Sequence, residues 1–150
     1  MSYTISTDKS LLNLPIIHNY LSNVSYWAKG VSLAQVQKAV DNSLCFGVYY
    51  KGQQIGLARV VTDYVRMAYI ADVFILEEHQ GAGLGKQLIE TILTYPDLAE
   101  CTRWMLLTKD AHGLYQQYGF VEPSNPEMYM ERTGKVQVSR PSSNSQNVEN

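Results

Sequence analysis

The stretch Tyr69-Ile70-Ala71-Asp72-Val73-Phe74-Ile75-Leu76-Glu77-Glu78-His79-Gln80-Gly81-Ala82-Gly83-Leu84-Gly85-Lys86 decides how this chain is read. Its first half is an apolar, strand-like run with one polar interior residue, Asp72. In its second half three alternating glycines precede Leu84, Leu88, Ile89, Ile92 and Leu93, whose spacing predicts a helix ending at Tyr95-Pro96. Glycines in a strand-to-helix turn let backbone amides approach a ligand without a Cβ in the way. The helix start adds unpaired N–H groups and a partial positive charge, which together make an anion site. One glycine would be explained by a tight turn alone; three favour the anion site. Two common phosphate loops are excluded. A Walker loop would need glycine where Gln80 stands and Ser or Thr where Gln87 stands, and a dinucleotide G-x-G-x-x-G fails at Lys86.

Working outward, Leu44–Tyr50 and Gln54–Val61 flank Lys51-Gly52-Gln53 and predict a hairpin, with Val65–Leu76 following after the Thr62-Asp63-Tyr64 turn. Upstream, Tyr3–Thr7 is β-like, and Leu11–Leu21 has helical spacing with Pro15 near its start. Ser32-Leu-Ala-Gln35 has the form of a capping box for a helix over 33–42. Downstream, Trp104–Leu107 reads as a short buried strand. Asp110 is placed to cap a helix running to Tyr118, Gly119 to stop it, and Glu127–Glu131 to form a last strand. This order is an α+β layout, a meander feeding a strand–helix–strand unit. A domain over residues 1–132 is expected, followed by a polar Ser- and Asn-rich tail over 133–150.

With 150 residues, one core is expected; 45% apolar and 17% charged residues exclude disorder. No apolar run has the length of a membrane span and no secretory signal is visible, so a cytoplasmic protein is expected. The net charge is −2; Arg132, Lys135 and Arg140 against Glu149 leave −4 on residues 1–131. That argues against a broad basic surface for nucleic acid, and no membrane partner is expected. Cys45 and Cys101 fit no zinc spacing and His18, His79 and His112 no metal-ligand pattern, so no metal is proposed; neither His79 nor His112 is expected to be catalytic.

Gln80-x-x-Gly83-x-Gly85 matches the [Gln/Arg]-x-x-Gly-x-[Gly/Ala] loop, and Leu114-Tyr115-Gln116-Gln117-Tyr118-Gly119-Phe120 matches a Leu-Tyr-x-x-x-Gly-Phe helix end. With the strand Ala71–Leu76 ahead of the loop, the chain resembles the GNAT superfamily of acyl-CoA-dependent N-acetyltransferases over about residues 3–131. The resemblance implies a three-layer fold, with a mixed, mostly antiparallel central sheet flanked by helices, and acetyl-CoA as co-substrate. It implies that Gln80, Gly81, Gly83, Gly85 and Lys86 hold the coenzyme pyrophosphate. It also implies that the fourth strand splays near Phe74-Ile75, that main-chain groups of Val73 and Ile75 meet the acetyl and pantetheine portions, and that the Val73 amide serves the oxyanion.

Acetyl transfer to an amine needs a neutral nucleophile, an oxyanion donor and a proton for the departing thiolate. Tyr115, by its motif position, is the expected proton donor; a packing tyrosine is the other reading, and Tyr118 is expected to be one. Several polyamine-type relatives carry a Glu where this chain has Ala71. Asp72, as base or amine contact or as a partnered buried carboxylate, and Asp63 remain, with water as relay. Tyr26-Trp27 resembles a mobile substrate wall and reads equally as a core aromatic pair. Arg59 either faces the acceptor or forms a salt bridge. The leading function is N-acetylation of a small-molecule amine by direct transfer. The rivals are a non-catalytic acyl-CoA sensor or interaction module, and a protein lysine or N-terminal acetyltransferase. Oligomeric state is left open, a homodimer included.

Overall fold

A computed structural model describes residues 2–135. Residues 136–150 of the expected tail lie outside the described residues. Strands β1 (Tyr3–Ser6), β2 (Leu44–Tyr50), β3 (Gln53–Thr62), β4 (Met67–Ile75) and β5 (Arg103–Leu106) form one sheet in sequential order. The first four are antiparallel, and β5 runs parallel to β4. Helices α1 (Leu14–Asn19) and α2 (Leu33–Asp41) precede the meander, α3 (Leu84–Leu93) makes the β4–β5 crossover, and α4 (His112–Gln116) follows β5. A parallel pair needs such a crossover, and a helix supplies it.

Local signals explain most boundaries. Asn13 caps α1 through the Ile16 amide with Pro15 in the first turn, and Ser32 and Gln35 close a complete capping box on α2. The β2–β3 hairpin turns on Lys51 and Gly52, with φ of 51° and 77°, the left-handed pair a type I′ connection requires. Alternation along the strands then sorts side chains to two faces. Phe46, Val48, Ala58, Val60, Ala68 and Ile70 pack with Leu88, Ile89 and Ile92 of α3. On the other face Cys45, Leu57 and Phe74 pack with Ile17 of α1 and Val36 and Val40 of α2. The result is three layers, helices on both faces of the sheet, as expected. Cys45 and Cys101 are free thiols.

Four expectations are corrected. The first helix is shorter than Leu11–Leu21: α1 ends at Asn19, and Tyr20–Val24 is a π turn closed by the Ser25 amide on the Tyr20 carbonyl. Asp110 does not cap α4; the Thr108 hydroxyl accepts the Ala111 amide instead, and the helix starts at His112. β5 is an edge strand, half-buried with Arg103 exposed, rather than fully buried. No strand forms over Glu127–Glu131, because Pro126 opens a 3-10 turn over Pro126–Met128. Tyr129 reaches β5 through its hydroxyl, which accepts from Arg103 at 3.2 Å.

Candidate active site

The site begins with an irregularity in β4. Arg59 pairs with Ala71 and Leu57 with Phe74, so Ala58 alone stands opposite Asp72 and Val73. Two residues against one is a β-bulge, and Asp72 carries it with φ of 53°. Asp is one of the few non-glycine residues that visits this left-handed region at modest cost. The bulge resets the alternation. Ile70 faces α3, whereas Phe74 faces α1 and α2, and Asp72 reaches Arg59 and Trp27 on that second side. β4 pairs with β5 only as far as Ile70 and Leu106, so the two strands part at Ala71. The splay therefore starts at Ala71, three residues before the Phe74-Ile75 position the resemblance implied, because the extra residue at 72 turns β4 away.

Between the parted strands and the α1–α2 side lies an open cavity of about 1300 Å³. It gathers Tyr26, Trp27, Arg59, Asp72, Val73, Ile75, Gln80 and Tyr115 from the expected site residues. Gly81, Gly83, Gly85 and Lys86 of the loop are not among its lining residues, and neither is Asp63. It sits in the β3–β4 turn, where Oδ1 accepts from the Val65, Arg66 and Met67 amides at 3.0, 2.8 and 3.2 Å. Those bonds hold its carboxyl below the usual range, and its role here is to shape the turn.

Asp72 is committed on both oxygens. Oδ2 accepts from Arg59 Nε and Oδ1 from Trp27 Nε1, each at 2.8 Å. Arg59 also donates to the Ser43 hydroxyl at 2.9 Å. The Arg59 and Asp72 side chains are 19% and 12% exposed, so Arg59 forms the salt bridge while still lining the cavity. Through Trp27 the same carboxylate pins the loop after the π turn. Tyr26 meets Trp27 edge-on at 5.1 Å, and its hydroxyl accepts the Lys109 amide at 3.1 Å. The loop is thus tied both to β4 and to the segment leading into α4, and Tyr26 and Trp27 are exposed wall residues rather than a core pair.

Tyr115 is 7% exposed on α4, with its ring edge-on to Phe120. Burial raises its pKa, and the nearby Tyr26 raises it further. The phenol therefore stays protonated at neutral pH, the state a proton donor needs. Tyr118 instead donates to Glu90 at 2.7 Å on the surface.

The glycine loop follows. A 3-10 turn over Glu77–His79 leads to Gln80, whose side-chain Nε2 donates to the Ile75 carbonyl at 2.9 Å and ties the loop to the end of β4. Gly83 is the N-cap of α3 at φ of 78°, and no side chain bonds the first amides of the helix. Those amides are the donors a helix start leaves unpaired. A Cβ at Gly85 would meet only Leu114 Cδ2, at 3.5 Å, and Lys86 is exposed. Uncapped amides with open approach fit an anionic group such as a pyrophosphate.

The acetyltransferase (GNAT) family model matches residues 15–120, more than half of the chain. This chain belongs to the GNAT family. The crystal structure of a "putative acetyltransferase belonging to the gnat family" from Xanthomonas campestris pv. campestris is 47% identical, covers 89% of this chain and 94% of its own, and superposes with a TM-score of 0.87. A curated Gibberella zeae protein named "Putative acetyltransferase FG08082" is 34% identical over 75% of each chain. A Clostridium acetobutylicum "predicted acetyltransferase with acetyl-CoA" shares the fold, with a TM-score of 0.63 at 13% identity over 88% of this chain and 95% of its own.

Several features of this GNAT site were not anticipated from sequence. Tyr20 stacks on Phe74 with centroids 4.1 Å apart and planes 9° from parallel, and the π turn that follows it starts the cavity wall. Lys109 and Asp110 line the cavity as well. The bulge had one signal, a lone Asp within an apolar strand with Arg59 on the preceding strand. Tyr20, Lys109 and Asp110 carry no motif at all.

Proposed function

We propose that this chain transfers the acetyl group of acetyl-CoA directly to the primary amine of a small molecule. The observation that carries the reading is a single cavity lined by Gln80, the bulged strand and Tyr115 together with the exposed Tyr26, Trp27 and Lys109. Donor and acceptor can then meet in one space without a covalent enzyme intermediate. The amides at the start of α3, with Gln80, Gly81, Gly83, Gly85 and Lys86 around them, hold the pyrophosphate, and Ile75 borders the pantetheine arm. Val73, outside the β3–β4 register, offers its amide to the carbonyl oxygen as negative charge develops there. The neutral amine nitrogen bonds to the thioester carbon as the carbon–sulfur bond breaks, Tyr115 passes its proton to the sulfur, and the proton shed by the new amide nitrogen returns through water to the Tyr115 phenolate. Asp72 acts as a positioning residue that holds Trp27 and Arg59.

Tyr115→Phe is expected to lower kcat by about 100-fold while leaving acetyl-CoA affinity within about twofold, since general acid catalysis contributes roughly 10²–10⁴. Thiol release with an amine panel is the assay. An unchanged kcat would remove Tyr115 from the chemistry. The engagement of Asp72 by Arg59 and Trp27 favours one second reading, a coenzyme-binding module without turnover, because it leaves β4 with no free carboxylate. That reading expects acetyl-CoA to raise Tm with no acceptor-dependent thiol release.

A further inference from the structure

The acceptor half of the cavity holds two carboxylates in opposite circumstances. Asp72 has both oxygens engaged. Asp110, on the turn into α4, lines the same cavity, is exposed, and makes no hydrogen bond or ion pair among the described residues. Its charge nevertheless reaches the cavity wall: burial raises the pKa of Tyr20, and Asp110 raises it further. The cations are disposed the other way. Arg59 is spent on Asp72 and Ser43, and Lys109 sets its ammonium over the Tyr26 ring, 5.3 Å from the centroid. Around Asp110 the wall is aromatic, with Tyr20, Tyr26 and Trp27. An entering molecule thus meets one uncommitted anion, ring faces, and no arginine free to receive a carboxylate.

We propose that Asp110 binds the ammonium of the acceptor, and that the acceptor is a carboxylate-free primary amine with an apolar body rather than a free amino acid. This rests on the transferase reading above. A charge-assisted bond to Asp110 and ring faces beside the cation supply the attraction. An α-carboxylate would sit next to Asp110 and the engaged Asp72 pair, where Asp110 repels it and the one lining cation outside an ion pair among the described residues, Lys109, is already drawn over the Tyr26 ring. Asp110 is a substrate-binding residue in this scheme: it holds the incoming ammonium, whose proton passes to water before the nitrogen attacks, and it takes no part in cleaving the thioester.

The test uses the full chain, saturating acetyl-CoA and two matched pairs, 2-phenylethylamine with phenylalanine and tryptamine with tryptophan. In each pair the amine is expected to exceed the amino acid by about tenfold or more in kcat/KM, the scale set by one charge-assisted contact. Asp110→Asn is expected to raise KM for the amines about tenfold with kcat nearly unchanged, and Asp110→Glu to recover most of the loss. Melting temperature and acetyl-CoA affinity should match the parent in both variants, because Asp110 makes no structural bond. Equal or better turnover of the amino acids, or an Asp110→Asn enzyme with unchanged amine KM, overturns this inference and leaves the transferase reading standing. Acetyl-CoA binding with no thiol release for any of the four compounds overturns both.

Discussion

Replacing Asp72 tests the bulge and the ion pair together. Asp72→Ala removes the acceptor for Trp27 Nε1 and for Arg59 Nε, leaving the guanidinium only the Ser43 hydroxyl. It also places alanine at φ of 53°. Breaking a fully buried pair from one side costs about 3–5 kcal/mol, and the exposure of these side chains brings that to roughly 2 kcal/mol. A left-handed alanine adds about 1 kcal/mol. The expected loss is therefore about 3 kcal/mol, or about 6–12 °C in Tm for a chain of this size. Two further variants separate the terms. Asp72→Asn tolerates the backbone and keeps an acceptor for Trp27, so its loss should be roughly 1–2 kcal/mol. Asp72→Gly loses both contacts but relieves the left-handed strain, and should fall between Asn and Ala. Urea unfolding gives the stabilities, and a double-mutant cycle with Arg59→Met gives the coupling, expected at about 1–2 kcal/mol. A coupling near zero would refute the energetic role of the pair, and Ala as stable as Gly would refute the strain at residue 72.

Two other perturbations bear on the coenzyme loop and the buried phenols. Gly83→Val forces a β-branched residue to φ of 78° and should weaken acetyl-CoA binding more than about tenfold, against about threefold at most for the exposed Lys86→Ala. Gly85→Val, which meets only Leu114 locally, should fold normally and report ligand approach; calorimetric titration with acetyl-CoA ranks the three, and Lys86→Ala as the largest loss would contradict binding by backbone amides. Burial raises the pKa values of Tyr20, Tyr49 and Tyr115 above the ordinary 10.0. The folded state therefore holds these protons more tightly than the unfolded chain. The associated stability is complete below pH 10.0 and is lost as pH rises through the folded-state values, so urea midpoints should fall on the alkaline side as these phenols ionise.

Much of the frame was legible because its signals are local. The Ser32–Gln35 box, Pro15, the Lys51-Gly52 hairpin and the apolar spacing of α3 each act within a few residues. The errors arose where a distant or competing partner decides. Asp110 looked like a helix cap, yet Thr108 is nearer the Ala111 amide and leaves Asp110 to the cavity. Asp63 looked available to substrate, yet three amides of its own turn occupy Oδ1. Strict alternation placed Asp72 opposite both its neighbours, but that rule fails wherever a strand holds one residue more than its partner. Tyr115 and the loop were found through motif positions. The aromatic wall of Tyr20, Tyr26 and Trp27 depends on a π turn that no periodicity announces.

The bulge makes the cleft separable from the fold. Ile70, Val73 and Ile75 pack toward α3, and Phe74 packs toward α1 and α2. Removing residue 72 altogether would leave each of these side chains on the face it already occupies, now in unbroken alternation. β4 could then continue its pairing with β5 beyond Ile70. Loss of a single codon would thus spare both cores, strand Arg59 without its carboxylate, and close the gap between β4 and β5 that borders the cavity. The reverse event, one inserted residue in an uninterrupted strand, is a minimal step by which a layered α+β scaffold of this kind acquires a cavity without repacking its interior.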